Sequence, residues 1–348
     1  MQKNHISQID PSINVKSFGL LADGTEINCY TLTNKNGLIC EVLNYGATIK
    51  SLMIPTSTGK VVDVVLGFET IEDYVNSFQL PNATYFGTVV GRYAGRINQG
   101  QFEWNGKHIQ LSQNHNQHQI HGGIKGFSLH AWEVIDFIEN ENPSITLQYI
   151  SPDGEEGYPA EVRVEVQYTL TEMNELQVNF KATSSEDTVI NLTQHSYFNL
   201  NGHQHKVIGQ QLQVHSNQIL ETTNELIPTG NFISLKDNAF DFSSTKDCPT
   251  MIDTTFVLSQ PKAAVLFSEQ NQLQMSVTTN QPAVHIYVGG NCFDQIKGKE
   301  GAAYHPLSGI CFEAQNYPDA PNHSHFPSSI LKKGATYQHQ TAFKFEIL

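Results

Sequence analysis

The sequence predicts an all-β protein, built as a large antiparallel β-sandwich. Apolar residues recur at every second position in segment after segment, the period of a strand with one buried face. Clusters of Gly, Pro, Asn and Asp separate these segments, as turns between strands require. Helical periodicity is nowhere sustained over the roughly 12 residues that tell a helix from a short apolar run.

Taken in order, "LICEVLN" (38–44), "ATIKSLMI" (47–54) and "VVDVVLGF" (61–68) read as strands. "TIEDYVNS" (70–77) is the best short helix. "SITLQYI" (144–150) is a further strand, followed by a hairpin. Its arms are "EVRVEVQYTLT", with Val162, Val164, Val166, Tyr168 and Leu170 in phase, and "ELQVNFKAT", with Leu176, Val178 and Phe180. "LQMSVTT" (273–279), "PAVHIYVG" (282–289), "GICFEAQ" (309–315) and "TAFKFEIL" (341–348) complete the set. No composition break and no fixed-period repeat marks a boundary, so residues 1–348 are expected to form one domain.

Composition narrows the function. Of 348 residues, 39% are hydrophobic and 16% charged, a globular balance. The net charge of -14 argues against nucleic acid and against anionic membrane surfaces as partners, since both favour basic patches. Arginine is confined to Arg92, Arg96 and Arg163, and two of these lie in "GRYAGR". Cys29, Cys40, Cys248, Cys292 and Cys311 are odd in number and widely spaced, which fits free thiols. The N-terminus has no signal-like apolar region, and no run of about 18 apolar residues occurs. A cytoplasmic location is expected.

Three segments carry candidate chemistry. In "NLTQHSYFNLNG" (191–202), alternation places Leu192, Gln194, Ser196, Phe198 and Leu200 on one face. Asn191, Thr193, His195, Tyr197 and Asn199 fall on the other, a row suited to hydrogen-bonding an uncharged, hydroxyl-rich ligand. In "GICFEAQNYPDAPNH", Ile310, Phe312 and Ala314 oppose Cys311, Glu313 and Gln315. Glu313 is either a surface glutamate or a general base in a partly dry site. In "PAVHIYVGGN", Val284, Ile286 and Val288 oppose His285 and Tyr287. Three such strands point to a shared polar cavity.

Two further clusters are weaker. "NHNQHQIHGG" brings His115, His118 and His121 together, so a cupin-like metal site is a rival, although no zinc spacing occurs. Gly122 and Gly123 after His121 suggest a tight turn with close backbone approach. Glu155 and Glu156 form a carboxylate pair, but adjacent residues in a Gly-rich turn cannot easily flank one glycosidic bond, so a solvated turn is expected.

In chain order, "DVVLGF", "YFGTVVGRYAGRI", "IHGGIKGF", "SPDGEEGYP", "NLTQHSYFNL", "IPTG", "AFDF" and "FEAQNYPDAPN" resemble the aldose 1-epimerase (galactose mutarotase) family from about Phe18 to the C-terminus. The resemblance implies the galactose mutarotase-like supersandwich and interconversion of the α and β anomers of a free aldohexose, galactose or glucose. It implies no cofactor and no metal, and a monomer or homodimer. It assigns His195 as proton donor to the ring oxygen and Glu313 as base at the C1 hydroxyl. His121 contacts the sugar near the ring oxygen, and Arg96 and Asp253 bind hydroxyls. Ser196 and Tyr197, which follow the catalytic histidine, are expected to line the pocket. Gly95 and His285 stand where many members carry Asn and Gln, which bears on sugar preference. Rival readings are a non-catalytic sugar-binding module, a hexose-6-phosphate epimerase, which needs extra Lys or Arg near the pocket, and the cupin-like metalloprotein.

Overall fold

The structure is a computed structural model that describes residues 14–289 and 296–348. Antiparallel sheets dominate the described residues. The largest has nine strands and runs from Glu133–Ile138 through Ser144–Ser151, Val162–Leu170, Glu175–Ser184, Tyr337–Ile347, Leu273–Thr279, Lys262–Ser268 and Gln211–Val214 to Lys246–Asp247. The expected hairpin lies near its centre, with Val162 opposite Ser184 and Leu170 opposite Leu176. Its alternation is strict: Val162, Val164, Val166, Tyr168 and Leu170 are fully buried.

A second, six-stranded sheet has the order Tyr197–Phe198, Ile310–Gln315, Ala283–Val288, Ile252–Val257, Gln218–Thr222 and Pro228–Ser234. The apolar residues of these strands (Val284, Ile286, Val288, Ile310 and Phe312) enter the same core as the valines of the large sheet. Phe198 bridges the layers, with its ring 4.9 Å from Phe343 and 6.3 Å from Phe312. A five-stranded sheet, from Val15–Leu20 to Val61–Asp63, adds Val42, Ile49 and Leu52 to that core. This is the expected sandwich.

The helix Ile71–Ser77 forms where Thr70 accepts the Asp73 amide at 3.2 Å, and buries Ile71 and Tyr74. None of the described helices is long and apolar enough to cross a membrane.

Two expectations need correction. "VVDVVLGF" is a strand only over Val61–Asp63, after which the chain turns inward as an isolated bridge from Val65 to Phe198. The stretch 191–202 is not one strand with a dry face and a wet face. Thr193–Gln194 pairs with Val89–Val90, His195 and Ser196 lie outside any strand, and Tyr197–Phe198 joins the six-stranded sheet. Residues 191–200 are all buried. The amide face serves the backbone of neighbouring segments: Asn191 donates to Ala94 O at 2.9 Å, Thr193 to Ala314 O at 2.8 Å and Asn199 to Ser308 O at 2.9 Å. Buried polar groups must find partners, and here the partners are the protein's own carbonyls.

Candidate active site

Strand register builds one wall of the site. Glu313, His285 and Thr255 are direct neighbours across three strands, and Cys311, Tyr287 and Asp253 form the adjacent rung. Residues two apart share a face, so both rungs point away from the core, on the side opposite Ile310 and Phe312. Tyr197 extends the second rung through its pairing with Cys311. His195, two residues earlier, falls beside Glu313.

A cavity of about 410 Å³ opens over this wall, a size suited to a small molecule. His195, Glu313, His121, Gly95, Arg96, Asp253 and His285 line it. Phe78, Leu80, Ile124, Leu226 and Pro228 give it an apolar rim.

At its floor, His195 Nε2 stands 3.5 Å from Glu313 Oε1, longer than an ordinary N–H···O bond. The two residues are only 3% and 2% exposed. Glu313 Oε2 is buried with no hydrogen-bond partner. The His195 ring is held between the rings of Tyr85 and Tyr197, stacked at 5.7 Å and 5.2 Å with interplanar angles of 23° on each. Its Nδ1 lies 3.7 Å from the Cys311 thiol. Burial pushes His195 below the ordinary histidine value, and the Glu313 carboxylate works against that fall.

His121 meets His195 edge to face at 5.3 Å. It sits at φ 52°, an unusual conformation for a residue with a Cβ. Its position is fixed by a bond from its amide to Gly95 O at 3.1 Å, and the Gly95 amide donates to its Nδ1 at 3.3 Å. Burial, with His195 and Arg96 nearby, pushes His121 well below the ordinary histidine value. Gly122 follows at φ +86°, and a Cβ there would strike the Gly91 carbonyl, so the expected close approach is present. The next turn is tied down by Glu156, which accepts the Ile124 and Lys125 amides at 2.9 Å each and the Ser112 hydroxyl. Glu155 accepts from Tyr149 and Ser151 at 2.5 Å. The pair is therefore a structural clamp, not the solvated turn expected from sequence.

Arg96 faces Asp253 at 4.0 Å, and its buried Nε has no partner. Arg92, the other arginine of "GRYAGR", is buried and bonds to Pro159 O and Ala160 O at 2.9 Å each, so it braces the fold. Gly95 has φ +79°, and a Cβ would come within 2.9 Å of Pro318. Asp253 accepts from His285 Nε2 at 2.8 Å, while His285 Nδ1 contacts Thr255 Oγ1 at 2.8 Å. Burial acts to lower His285, but the bond and charge of Asp253, with the charge of Glu313, outweigh it and hold His285 above its ordinary value. Burial acts to raise Asp253, and His285 and Arg96 hold it below the usual carboxylate range.

Ser196 and Tyr197 do not line the cavity. The Ser196 hydroxyl accepts from Gln194 at 2.8 Å, and Tyr197 lies behind His195. Sequence reasoning did not single out Tyr85, Thr255 and Gln315. Only Gln315 carried a signal, its alternation with Glu313, and its buried Oε1 has no partner.

The three histidines of the rival metal reading do not converge on one point. His118 accepts the Gln99 amide at 3.0 Å and lies 3.5 Å from Glu225, while His115 stays at the cavity wall. Among the described residues, the grouping dense enough for a metal is His121, His195 and Glu313, with ligand atoms within 4.8 Å of one another.

Comparison with known proteins decides the family: residues 28–344 match the family described as "Aldose 1-epimerase". The chain belongs to the aldose 1-epimerase family. It is 37% identical over 320 residues to "Galactose mutarotase" of Bos taurus, covering 88% of this chain and 91% of the relative. It is 30% identical over 345 residues to "Aldose 1-epimerase" of Escherichia coli K12, covering 94% and 97%. A crystal structure of an aldose epimerase homologue from C. elegans superposes with a TM-score of 0.85 at 29% identity, covering 92% of this chain and 99% of that one. For an aldose 1-epimerase, the cavity with its opposed histidine and glutamate is the place to look for the reaction.

Proposed function

We propose that the protein interconverts the α and β anomers of free hexoses such as galactose and glucose by opening and closing the sugar ring. The observation that carries this reading is the His195–Glu313 pair at the cavity floor, 3.5 Å apart, with one carboxylate oxygen unclaimed. Ring opening moves one proton off the C1 hydroxyl and places one on the ring oxygen, two atoms bonded to the same carbon. Glu313 takes the first and His195 delivers the second as the C1–ring oxygen bond breaks. The aldehyde turns about C1–C2, and closure runs the same transfers backwards. Burial disfavours the charged imidazole while Glu313 favours it, so the proton is held loosely enough to be given and recovered.

Arg96 and Asp253 are read as hydroxyl ligands, and His121 as a contact near the ring oxygen. Among the described lining residues Arg96 is the only Lys or Arg, and Asp253 and Glu313 share the cavity with it. This balance favours an uncharged hexose over a hexose phosphate.

One apolar core takes in residues from Tyr30 to Phe345, which supports reading 1–348 as one domain. Cys29, Cys40 and Cys248 are buried free thiols, in keeping with a cytoplasmic enzyme; Cys292 lies outside the described residues.

The test is the rate of α-to-β conversion across a panel of free sugars, followed by polarimetry. Folded protein that accelerates none of them would overturn the reading. The chemistry needs no ion at His121, His195 and Glu313, so activity should survive exhaustive chelation. A large loss restored by one divalent ion would make that trio a metal site.

A further inference from the structure

Gln315 ends the strand that carries Glu313, and no protein group claims its amide oxygen. The residue is 1% exposed, and its buried Oε1 has no hydrogen-bond partner. Its own rung of the sheet supplies none. Gln315 pairs with Ala283, and Ala283 with Val257, so the cross-strand neighbours are apolar. Residues two apart share a face, so the amide projects from the same side as Glu313 and lines the same cavity.

We propose that Gln315 is a sugar-binding residue that sets specificity: its amide oxygen accepts a hydrogen bond from a hexose hydroxyl on the side of the ring away from the reacting carbon. The inference rests on the reading of this cavity as the hexose site.

Three observations support it. A buried amide oxygen left unpaired is costly, and folded proteins leave few of them. A ligand hydroxyl supplies the missing donor. The amide is also packed in place: a Cβ added at Gly95 would come within 3.4 Å of Gln315 Nε2 and 2.9 Å of Pro318. Arg96, next in the chain, lines the cavity with a buried Nε that likewise has no partner. An acceptor and a donor are thus both open to the ligand, and a hydroxyl can serve either.

Spacing narrows the choice of hydroxyl. Gln315 lies two residues beyond Glu313, a step of about 6.6 Å along a strand. Neighbouring hydroxyls of a pyranose stand much closer to one another than that. With Glu313 at the C1 hydroxyl, Gln315 meets the hydroxyl at C3, C4 or C6, and not the one at C2.

The experiment measures dissociation constants by ligand-observed NMR titration of galactose and of its monodeoxy derivatives at C2, C3, C4 and C6. The proteins are wild type, Gln315→Met, which keeps the length without the acceptor, and Gln315→Asn, which keeps the amide but draws it back. Each variant should bind galactose about 10-fold more weakly than wild type. The same loss should appear with the C2 derivative. It should vanish with one of the C3, C4 and C6 derivatives, the one that lacks the partnered hydroxyl. Unchanged affinity for galactose in both variants would overturn the proposal, because water and not sugar would then meet the amide. An equal loss on every sugar, or a loss that vanishes only with the C2 derivative, would overturn it as well. Binding is read without turnover, so a wild type that binds these sugars and converts none would count against the epimerase reading alone. A wild type that binds no hexose would overturn both.

Discussion

His195 shows how much a single side chain depends on its surroundings. Two tyrosine rings stack on it, a thiol faces Nδ1, and a carboxylate faces Nε2. Burial and the carboxylate pull its titration in opposite directions. Glu313→Gln removes the group that holds the proton on, so His195 should titrate at still lower pH in that variant. A ¹⁵N NMR titration checks this, and a midpoint that stays or rises would mean that Glu313 does not act on the ring. The role of Tyr85 in this stack was not legible from sequence. It lies at φ 52° outside regular structure, where no periodicity marks which way a side chain points.

At the scale of the element, legibility followed burial. The strands Val162–Leu170 and Ala283–Val288 were readable because the core takes one face more fully than the other, and Ile310–Gln315, though buried throughout, because its apolar residues still alternate with Cys311, Glu313 and Gln315. The side of the sheet that carries Glu313 and His285 followed from that alternation alone. The stretch around His195 was not readable in the same way, because Thr193–Gln194 and Tyr197–Phe198 pair in different sheets and its amides serve carbonyls that only the fold brings near. The Glu155–Glu156 turn was misjudged for a related reason: the amides of Ile124 and Lys125 that Glu156 accepts are more than thirty residues away along the chain. That clamp carries a prediction. Glu156→Ala leaves those two amides without a charged acceptor and loosens the turn that holds His121. Stability should fall by about 1 to 2 kcal/mol, amide exchange at Ile124 and Lys125 should speed up, and turnover should drop. Unchanged exchange at both amides would show that the turn holds itself.

At the scale of the whole molecule, buried histidines tie stability to pH. His339 is 1% exposed, packs 5.0 Å from Phe180, and contacts Thr341 Oγ1 at 2.8 Å. Burial pushes it down to about 3. An unfolded chain binds the proton near pH 6.5 while the folded one refuses it down to about 3, so the neutral ring's contribution is complete above 6.5 and is lost as pH falls between these values. The slope for this one group is about 1.4 kcal/mol per pH unit. His121 and His195 add to it in the same direction. Urea unfolding at pH 7 and pH 5 should show a clear loss at the lower pH, and His339→Gln should reduce that loss. An equal loss in the variant would place the acid sensitivity elsewhere.

The central claim is that Glu313 and His195 move the two protons of one ring opening. The most direct measurement is the rate of β-anomer formation from fresh α-galactose, corrected for spontaneous mutarotation, in wild type, Glu313→Gln, His195→Asn and the double variant. A positioned acid or base contributes about 10²- to 10⁴-fold, so each single variant should lose at least roughly 10²-fold in turnover with sugar affinity little changed. The double variant should lose much less than the product of the two, because both groups serve one transition state. If folded Glu313→Gln keeps more than about a tenth of wild-type turnover, well short of the loss of a base, Glu313 is not the base and the account of the site is wrong.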